Sequence, residues 1–372
     1  MSAVLDAVAG QDVAMAFLRG AAVRPHHAYV LAGPEGSGKS LAARAFVAAL
    51  LCSNGGCGVC RDCTLALRDH HPNEFVVEPE GRDIHIDTIR DEVWQPAYRT
   101  APEPGRKVFV IREADRLSPP AADTLLKVLE EPPADTVLLL LSARAHELPE
   151  TIVSRCHVVT FAALPEAFVV AQLEAEGVDP THATLAARLS GGNLGRARRM
   201  ATDADGLAFR TVAADALAAA ATGVDGALAA AVAVMDAAGA YKKELKGELE
   251  AERAPFLDEK GRPEDMYRGA LRRIETRFTR RERRAERDYI DRVLLAASSL
   301  LRDRLVADVH GAPSLRLHVD LEPSADHGDT VAVARSLAAV EEARAALAED
   351  MNRNPRLVLE QAFMHVTRAA AA

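Results

Sequence analysis

His27-Ala28-Tyr29-Val30-Leu31-Ala32 runs into Gly33-Pro34-Glu35-Gly36-Ser37-Gly38-Lys39-Ser40, and that loop into the helix-periodic run Leu41 to Leu51. A short apolar strand, a glycine-rich loop and a helix in this order are the G-x-x-x-x-G-K-S phosphate-binding pattern in the context it requires. The glycines let backbone N–H groups close around a phosphate at a helix N-terminus, where the helix dipole also favours negative charge. Lys39 is placed to reach the outer phosphates of ATP or ADP, and the Ser40 hydroxyl to ligate Mg²⁺. Gly33, Pro34, Glu35, Gly36, Ser37, Gly38, Lys39 and Ser40 are therefore the expected nucleotide-binding residues.

Outward from this loop, short apolar runs alternate with amphipathic stretches up to about Phe161, the pattern of a parallel sheet covered by helices. The expected strands are Ala28 to Ala32, Glu74 to Glu78, Lys107 to Ile111, Val137 to Ser142 and His157 to Phe161, each apolar enough to be buried on both faces. Beyond Pro165 the strand signals stop. Short helices are expected over Glu166 to Glu176, Thr181 to Leu189 and Leu194 to Asp203, separated by Gly177, Pro180 and Gly191-Gly192. From about Asp205 the chain is rich in Ala and Leu with helical periodicity, interrupted at Pro255, at Gly261-Arg262-Pro263 and over Glu322 to Asp329. The expected organisation is an α/β P-loop core over 1–163, a small all-α lid over 164–204 and an all-α C-terminal domain over 205–372. With 372 residues of which 49% are hydrophobic, there is enough apolar chain to give each piece a core, and disorder throughout is excluded. The 45 basic and 54 acidic residues give a net charge of −9, the wrong sign for a protein whose whole surface coats nucleic acid. No uninterrupted apolar run reaches 18 residues and Met1 to Gly20 lacks a charged leader, so the expectation is a cytoplasmic protein with no membrane span or signal peptide.

A P-loop hydrolase needs a second strand ending in acids, one to hold Mg²⁺ and one to orient water. Lys107 to Ile111 ends instead in Arg112-Glu113-Ala114-Asp115. An arginine cannot hold a cation, so nucleotide binding is favoured over efficient hydrolysis. Glu113 remains the candidate for orienting water and Asp115 a candidate metal partner. Four of the five cysteines stand at Cys52, Cys57, Cys60 and Cys63, with Gly55, Gly56 and Gly58 permitting tight turns. Four thiolates so close suit one closed tetrahedral Zn²⁺ site of the structural kind; an iron–sulfur cluster is the alternative. Cys156 reads as a small buried hydrophobe, and His70 and His71 as surface residues. Ser118-Pro119-Pro120 and Pro132-Pro133 bracket a helix over Ala121 to Glu131. Arg155 precedes the last strand, where a lone arginine ordinarily compensates a helix end. Arg268 to Arg287 holds nine arginines, either a solvated helix face or a phosphate-contacting patch.

Taken together, these residues resemble the clamp-loader branch of the AAA+ ATPases. The resemblance rests on Val8-Ala9-Gly10-Gln11, His27-Ala28-Tyr29, the P-loop, the cysteine module and Glu113-Ala114-Asp115-Arg116-Leu117. It continues through Leu125-Leu126-Lys127-Val128-Leu129-Glu130-Glu131-Pro132-Pro133 and Thr151-Ile152-Val153-Ser154-Arg155-Cys156, and covers about the first 200 residues. It implies an AAA+ core, a helical lid and a helical collar that packs in a ring with other subunits, motor subunits of the tau/gamma type and a delta subunit among them. It further implies a role in placing a sliding clamp on primed DNA, at the nucleoid through the replisome. In that family Ser-Arg-Cys presents an arginine finger to the neighbouring subunit's ATP, which makes Arg155 a residue acting in trans. Arg112 in place of the motor's acid, Gly195 where a motor carries a sensor arginine with Arg196 beside it, and no expected long tail all imply the non-motor member that completes the ring. Asn352 to Glu360 resembles the last collar helix. The rivals are an active motor ATPase of the same complex and a non-replicative AAA+ protein. Tyr241 to Arg292 matches nothing in the family pattern.

Overall fold

A computed structural model describes residues 2–79, 83–202, 207–254, 268–309, 311–321, 329–349 and 353–370. Pro255, Gly261 to Pro263, most of Glu322 to Asp329, Asp203, Asp205 and Asn352 lie outside the described residues.

The described chain forms two compact units, residues 1–172 with 190–196 and residues 173–189 with 197–372. In the first, α1 (Ala3–Asp6) and α2 (Asp12–Val23) precede β1 (Ala28–Ala32), and α3 (Lys39–Leu51) and α4 (Arg61–Ala66) lead to β2 (Glu74–Val77). Next come α5 (Ile86–Ile89), a π-helical turn over Arg90–Trp94, and α6 (Gln95–Tyr98), followed by β3 (Lys107–Ile111), α7 (Pro119–Glu130), β4 (Thr136–Ser142), α8 (Glu150–Val153) and β5 (His157–Thr160). All strands are parallel, in the order β2-β3-β4-β1-β5. Every residue of β1, β3 and β4 is buried, as the unbroken apolar runs require of strands covered on both faces. β5 differs from expectation: it is an edge strand and only Val159 of its four residues is buried. One core layer joins Leu18, Phe46 and Val47 to Tyr29, Leu31 and Leu139, and the other joins Phe109, Leu125 and Leu138 to Ile89 and Ile152. This α/β P-loop core, followed among the described residues by helices alone, is the architecture expected of an AAA+ protein.

Lys107 opens β3 as a buried cation. Its Nζ donates to the carbonyls of Pro96, Ala97 and Arg99, at 3.1 Å to Pro96 and 2.6 Å to Arg99. Three carbonyls from the end of α6 thus satisfy an ammonium that would otherwise be costly to bury, and in return the helix end is capped.

After β5 come α9 (Glu166–Ala175), α10 (Pro180–Ser190) and α11 (Leu194–Thr202), then α12 (Ala208–Ala221), α13 (Val224–Arg253), α14 (Arg268–Asp308), α15 (Thr330–Glu349) and α16 (Pro355–Ala370). In the second unit, Ala216, Ala220, Ala227 and Ala231 pack with Ile290, Val293, Leu294 and Phe363; small residues on α12 and α13 let the helices approach closely. Val224–Gly247 has the length and hydropathy of a membrane span, yet Ala227, Ala230, Ala231, Val234 and Ala238 lie buried within the same helical core. The described residues of the region that matched nothing in the family pattern form an antiparallel helix pair: Tyr241 packs on Tyr289 at 5.4 Å, Lys246 pairs with Glu282 at 3.1 Å and Arg253 with Glu275 at 2.9 Å. Two of its acids are thus spent between helices, and Arg292 lies over the rings of Phe209 and Tyr241 at 5.4 and 5.7 Å.

Candidate nucleotide site and cysteine cluster

β1 delivers the loop Gly33 to Ser40 to the carboxyl end of the sheet, beside β4 and β5, while the next strand in sequence lies three places away. Such a break in strand order leaves a crevice in which ligands bind. Gly36 and Gly38 hold φ of 73° and 92°, a region that side chains disfavour. A Cβ on Gly36 would fall 1.9 Å from Asn193 Cγ, so the loop turns where it does against Asn193, whose Oδ1 also accepts from Arg196 N–H at 2.9 Å. Gln11, buried under the loop, donates to Ser37 O at 2.9 Å and Ala162 O at 2.7 Å and accepts from Ala162 N–H at 3.3 Å. Gln11 and Asn193 are thus supports of the loop that the sequence reading did not assign. The signal for Gln11 was present in the Val8 to Gln11 motif.

Lys39 Nζ donates to the carbonyls of Gly33 and Pro34. Burial pushes its ammonium below the ordinary lysine value, against the opposing pull of Glu35 and Asp115. Ser37 Oγ is buried with no hydrogen-bond partner among the described residues, and the exposed Ser40 stands in the first turn of α3. A constrained glycine loop, a partly desolvated lysine, an orphaned hydroxyl and a helix N-terminus fit an anion such as a nucleotide phosphate.

Arg112, Glu113 and Asp115, after β3, go three ways. Arg112 donates to Asp69 at 2.8 Å and Glu78 at 2.5 Å, and Arg44 closes on the same Asp69 at 2.6 Å. Burial opposes the charge on Asp69, yet the two guanidiniums hold its carboxyl below the ordinary value. Glu113, at a left-handed φ of 50°, pairs with Arg116 at 2.9 Å. Asp115, whose side chain is 5% exposed, accepts from Ser142 Oγ at 2.8 Å, Ala143 N–H at 3.2 Å and Arg144 at 3.2 Å. Ser142 is the last residue of β4, and its carbonyl accepts the Gly33 N–H at 3.1 Å. Asp115 is therefore tied to the β4 residue that holds the start of the loop, whereas Arg112 is engaged in an ion-pair cluster.

Cys52, Cys57, Cys60 and Cys63 converge, all four sulfurs lying within 4.8 Å of one another. Cys52 stands 3.9 Å from Cys57 and 3.6 Å from Cys60, close to the ~3.8 Å edge of a tetrahedron with metal–sulfur bonds of about 2.3 Å. Thiolates ligating separate irons of a cluster would stand further apart, so the spacing fits a single ion better than a cluster. The backbone N–H groups of Asn54 and Cys63 point at Cys52 and Cys60. Although burial opposes it, such N–H donors bring the Cys52 thiol down to about 6, whereas burial pushes Cys63 up to about 12. Cys156 packs against the core, where burial pushes its thiol up to about 12.

His71 corrects the sequence reading, since it is buried rather than on the surface. Its Nδ1 accepts from Asn73 N–H at 3.1 Å, which leaves the proton on Nε2, facing Asp62 at 3.6 Å. Glu103 lies close by, but a protonated Nε2 and the pairing of Arg61 with both acids make the trio a poor metal site.

Arg155 follows α8 at the amino end of β5. Tyr29 pairs with His157 and Ala32 with Thr160, so Arg155 and the loop Gly33 to Ser40 lie at opposite ends of the β1–β5 pair, about 13 Å of strand apart.

Comparison with known proteins adds to this geometry. Residues 15–165 match the family described as DNA polymerase III, delta subunit. The delta-prime subunit of Pseudomonas aeruginosa DNA polymerase III is 45% identical over 136 residues, 35% of this chain and 41% of that protein. This chain resembles the delta-prime subunit of bacterial DNA polymerase III. The Escherichia coli delta-prime subunit is 36% identical over 181 residues, 47% of this chain and 54% of that protein. A tau subunit, from Salmonella typhimurium, is 36% identical over 157 residues, 41% of this chain but 24% of that protein. The chain thus spans about half or less of the length of the curated delta-prime relatives it matches, and the matched stretch holds the loop, the cysteines and Arg155.

Proposed function

We propose that this chain is a delta-prime-type subunit of a bacterial clamp loader, a ring of subunits that places the sliding clamp on primed DNA. It completes the ring beside tau/gamma and delta subunits within the DNA polymerase III holoenzyme, with residues 164–204 as its lid and 205–372 as its collar. The observation that carries this over a motor role is Arg112. It stands where a motor needs a metal-holding acid, and its guanidinium is committed to Asp69 and Glu78. ATP or ADP binds at Gly33 to Ser40 with Mg²⁺ near Ser40, and ATP is hydrolysed weakly or not at all, even if Glu113 orients water.

Cys52, Cys57, Cys60 and Cys63 hold one Zn²⁺, which stiffens the module between α3 and α4. Arg155 acts on the ATP of the neighbouring subunit; its place at the far end of the sheet from its own loop supports action in trans, and a guanidinium there stabilises charge on a transferring phosphate. The comparable identity to a tau subunit favours one second reading, an active motor of the same loader.

Two measurements separate these readings. Tagged chain should co-purify with tau/gamma and delta subunits, and the isolated chain should turn over ATP far below the order of 1 s⁻¹ common among enzymes. Robust turnover would establish the motor reading. Absence of every polymerase III subunit from the purified material would leave a non-replicative AAA+ protein.

A further inference from the structure

Arg155 does not project freely. Its Nη2 donates to Glu130 Oε1 at 2.7 Å, and its Nη1 to Thr151 O at 2.9 Å and Ser154 Oγ at 3.4 Å. Glu130 is the last residue of α7, where the helix carbonyls already gather negative charge, so an acid there works against the dipole and gains from a cation. Glu131 follows it, and a cavity of about 420 Å³ opens beside the pair, lined by Trp94, Tyr98, Lys127, Glu130 and Glu131. Trp94 ends the π-helical turn, a distortion common at functional sites. The Arg155 and Glu130 side chains are 37% and 51% exposed, so a group brought by another subunit can reach the guanidinium without disturbing the core.

We propose that Glu130 is a latch on Arg155: it occupies the guanidinium at the surface in an ion pair that a phosphate of the neighbouring subunit's nucleotide must displace. The inference rests on the reading of Arg155 as a residue acting in trans. The exchange is like for like. Carboxylate and phosphate both accept charge-assisted bonds from the guanidinium fork, and the bonds of Nη1 to Thr151 and Ser154 need not break, so the arm stays oriented while Nη2 changes partner. Glu130 keeps the isolated chain from presenting a bare cation, and the more negative nucleotide phosphates outcompete its single charge once the ring forms.

The test compares wild type, Glu130→Gln, Glu130→Asp, Arg155→Ala and the double variant Glu130→Gln/Arg155→Ala in loaders reconstituted with tau/gamma and delta subunits. Clamp- and DNA-stimulated ATPase is titrated against the chain at several salt concentrations, and thermal melts check folding. Glu130→Gln should reach half-maximal stimulation at a concentration roughly two- to five-fold lower, the range an exposed ion pair carries. The gain should shrink as salt screens the wild-type pair and vanish in the double variant. Glu130→Asp, which keeps the charge, should stay near wild type. If Arg155→Ala lowers stimulation but Glu130→Gln matches or falls below wild type, the latch is wrong and the trans role of Arg155 stands. If Arg155→Ala changes nothing, the trans role fails and the latch with it.

Discussion

Arg112 shows how much a single position decides, and why its exchange for an acid should not raise ATP turnover. The guanidinium is shared between Asp69 and Glu78, with Arg44 and Glu74 beside them. Arg112→Asp would set a third carboxylate beside Asp69 and Glu78 and remove the guanidinium that pairs with both. The expected result is a loss of about 1–3 kcal/mol in urea unfolding, between what an exposed and a fully buried ion pair carry, with no gain in ATP turnover. Glu74 adds a pH signature to the same cluster. Burial, helped by the charge of Asp69, raises its carboxyl from 4.5 to about 8. A carboxyl that is harder to ionise in the folded state contributes stability that is complete below about 4.5 and lost as pH rises through about 8. Glu74→Gln should remove that slope, so the difference in unfolding free energy between variant and wild type should widen in the variant's favour from pH 5 to pH 8.5, by several kcal/mol at most. A constant difference over that range would show that Glu74 ionises as easily folded as unfolded.

Elements written contiguously in the sequence were the legible ones. β1, the phosphate loop and α3 share one stretch, so strand, glycines and helix could be read together, and the cysteines at 52, 57, 60 and 63 carried their own spacing. What escaped was set across the sequence. Asp69 and Glu78 lie 43 and 34 residues from Arg112, and no local pattern announces such partners. β5 reads as apolar whether it is central or at an edge, and the short helices with the π-helical turn before β3 are too brief for periodicity to register. His71 looked like a surface residue because its burial depends on Asn73 and Asp62. The cysteine module gives the clearest test at this scale. Protein purified without chelator should carry about one zinc per chain, since four thiolates make one closed tetrahedral site. Removing it should lower the melting temperature, and zinc should restore it. Iron, or no metal, would count against the assignment.

At the scale of the molecule, nucleotide should stabilise the unit that holds the loop, and the chain supplies a reporter for that unit. Trp94 is the single tryptophan; it lies in the unit formed by 1–172 and 190–196, so the thermal transition of its fluorescence reads that unit even where the long helices dominate circular dichroism. A ligand that binds the folded state at a hundred times its dissociation constant adds about 2.7 kcal/mol, worth several degrees in a unit of this size. With Mg²⁺ and ADP or ATP the Trp94 transition of wild type should therefore rise by several degrees, the rise growing with the logarithm of nucleotide concentration. Lys39→Ala should abolish it, because the loop then lacks the ammonium that meets the phosphates. Arg155→Ala and Glu130→Gln should leave it intact, since Arg155 and the Glu130 carboxylate it pairs with lie away from the loop, at the other end of the β1–β5 pair. A rise lost in Arg155→Ala would place that side chain at the chain's own site. No rise in wild type at millimolar nucleotide would mean that the loop keeps the shape of a phosphate site without its affinity.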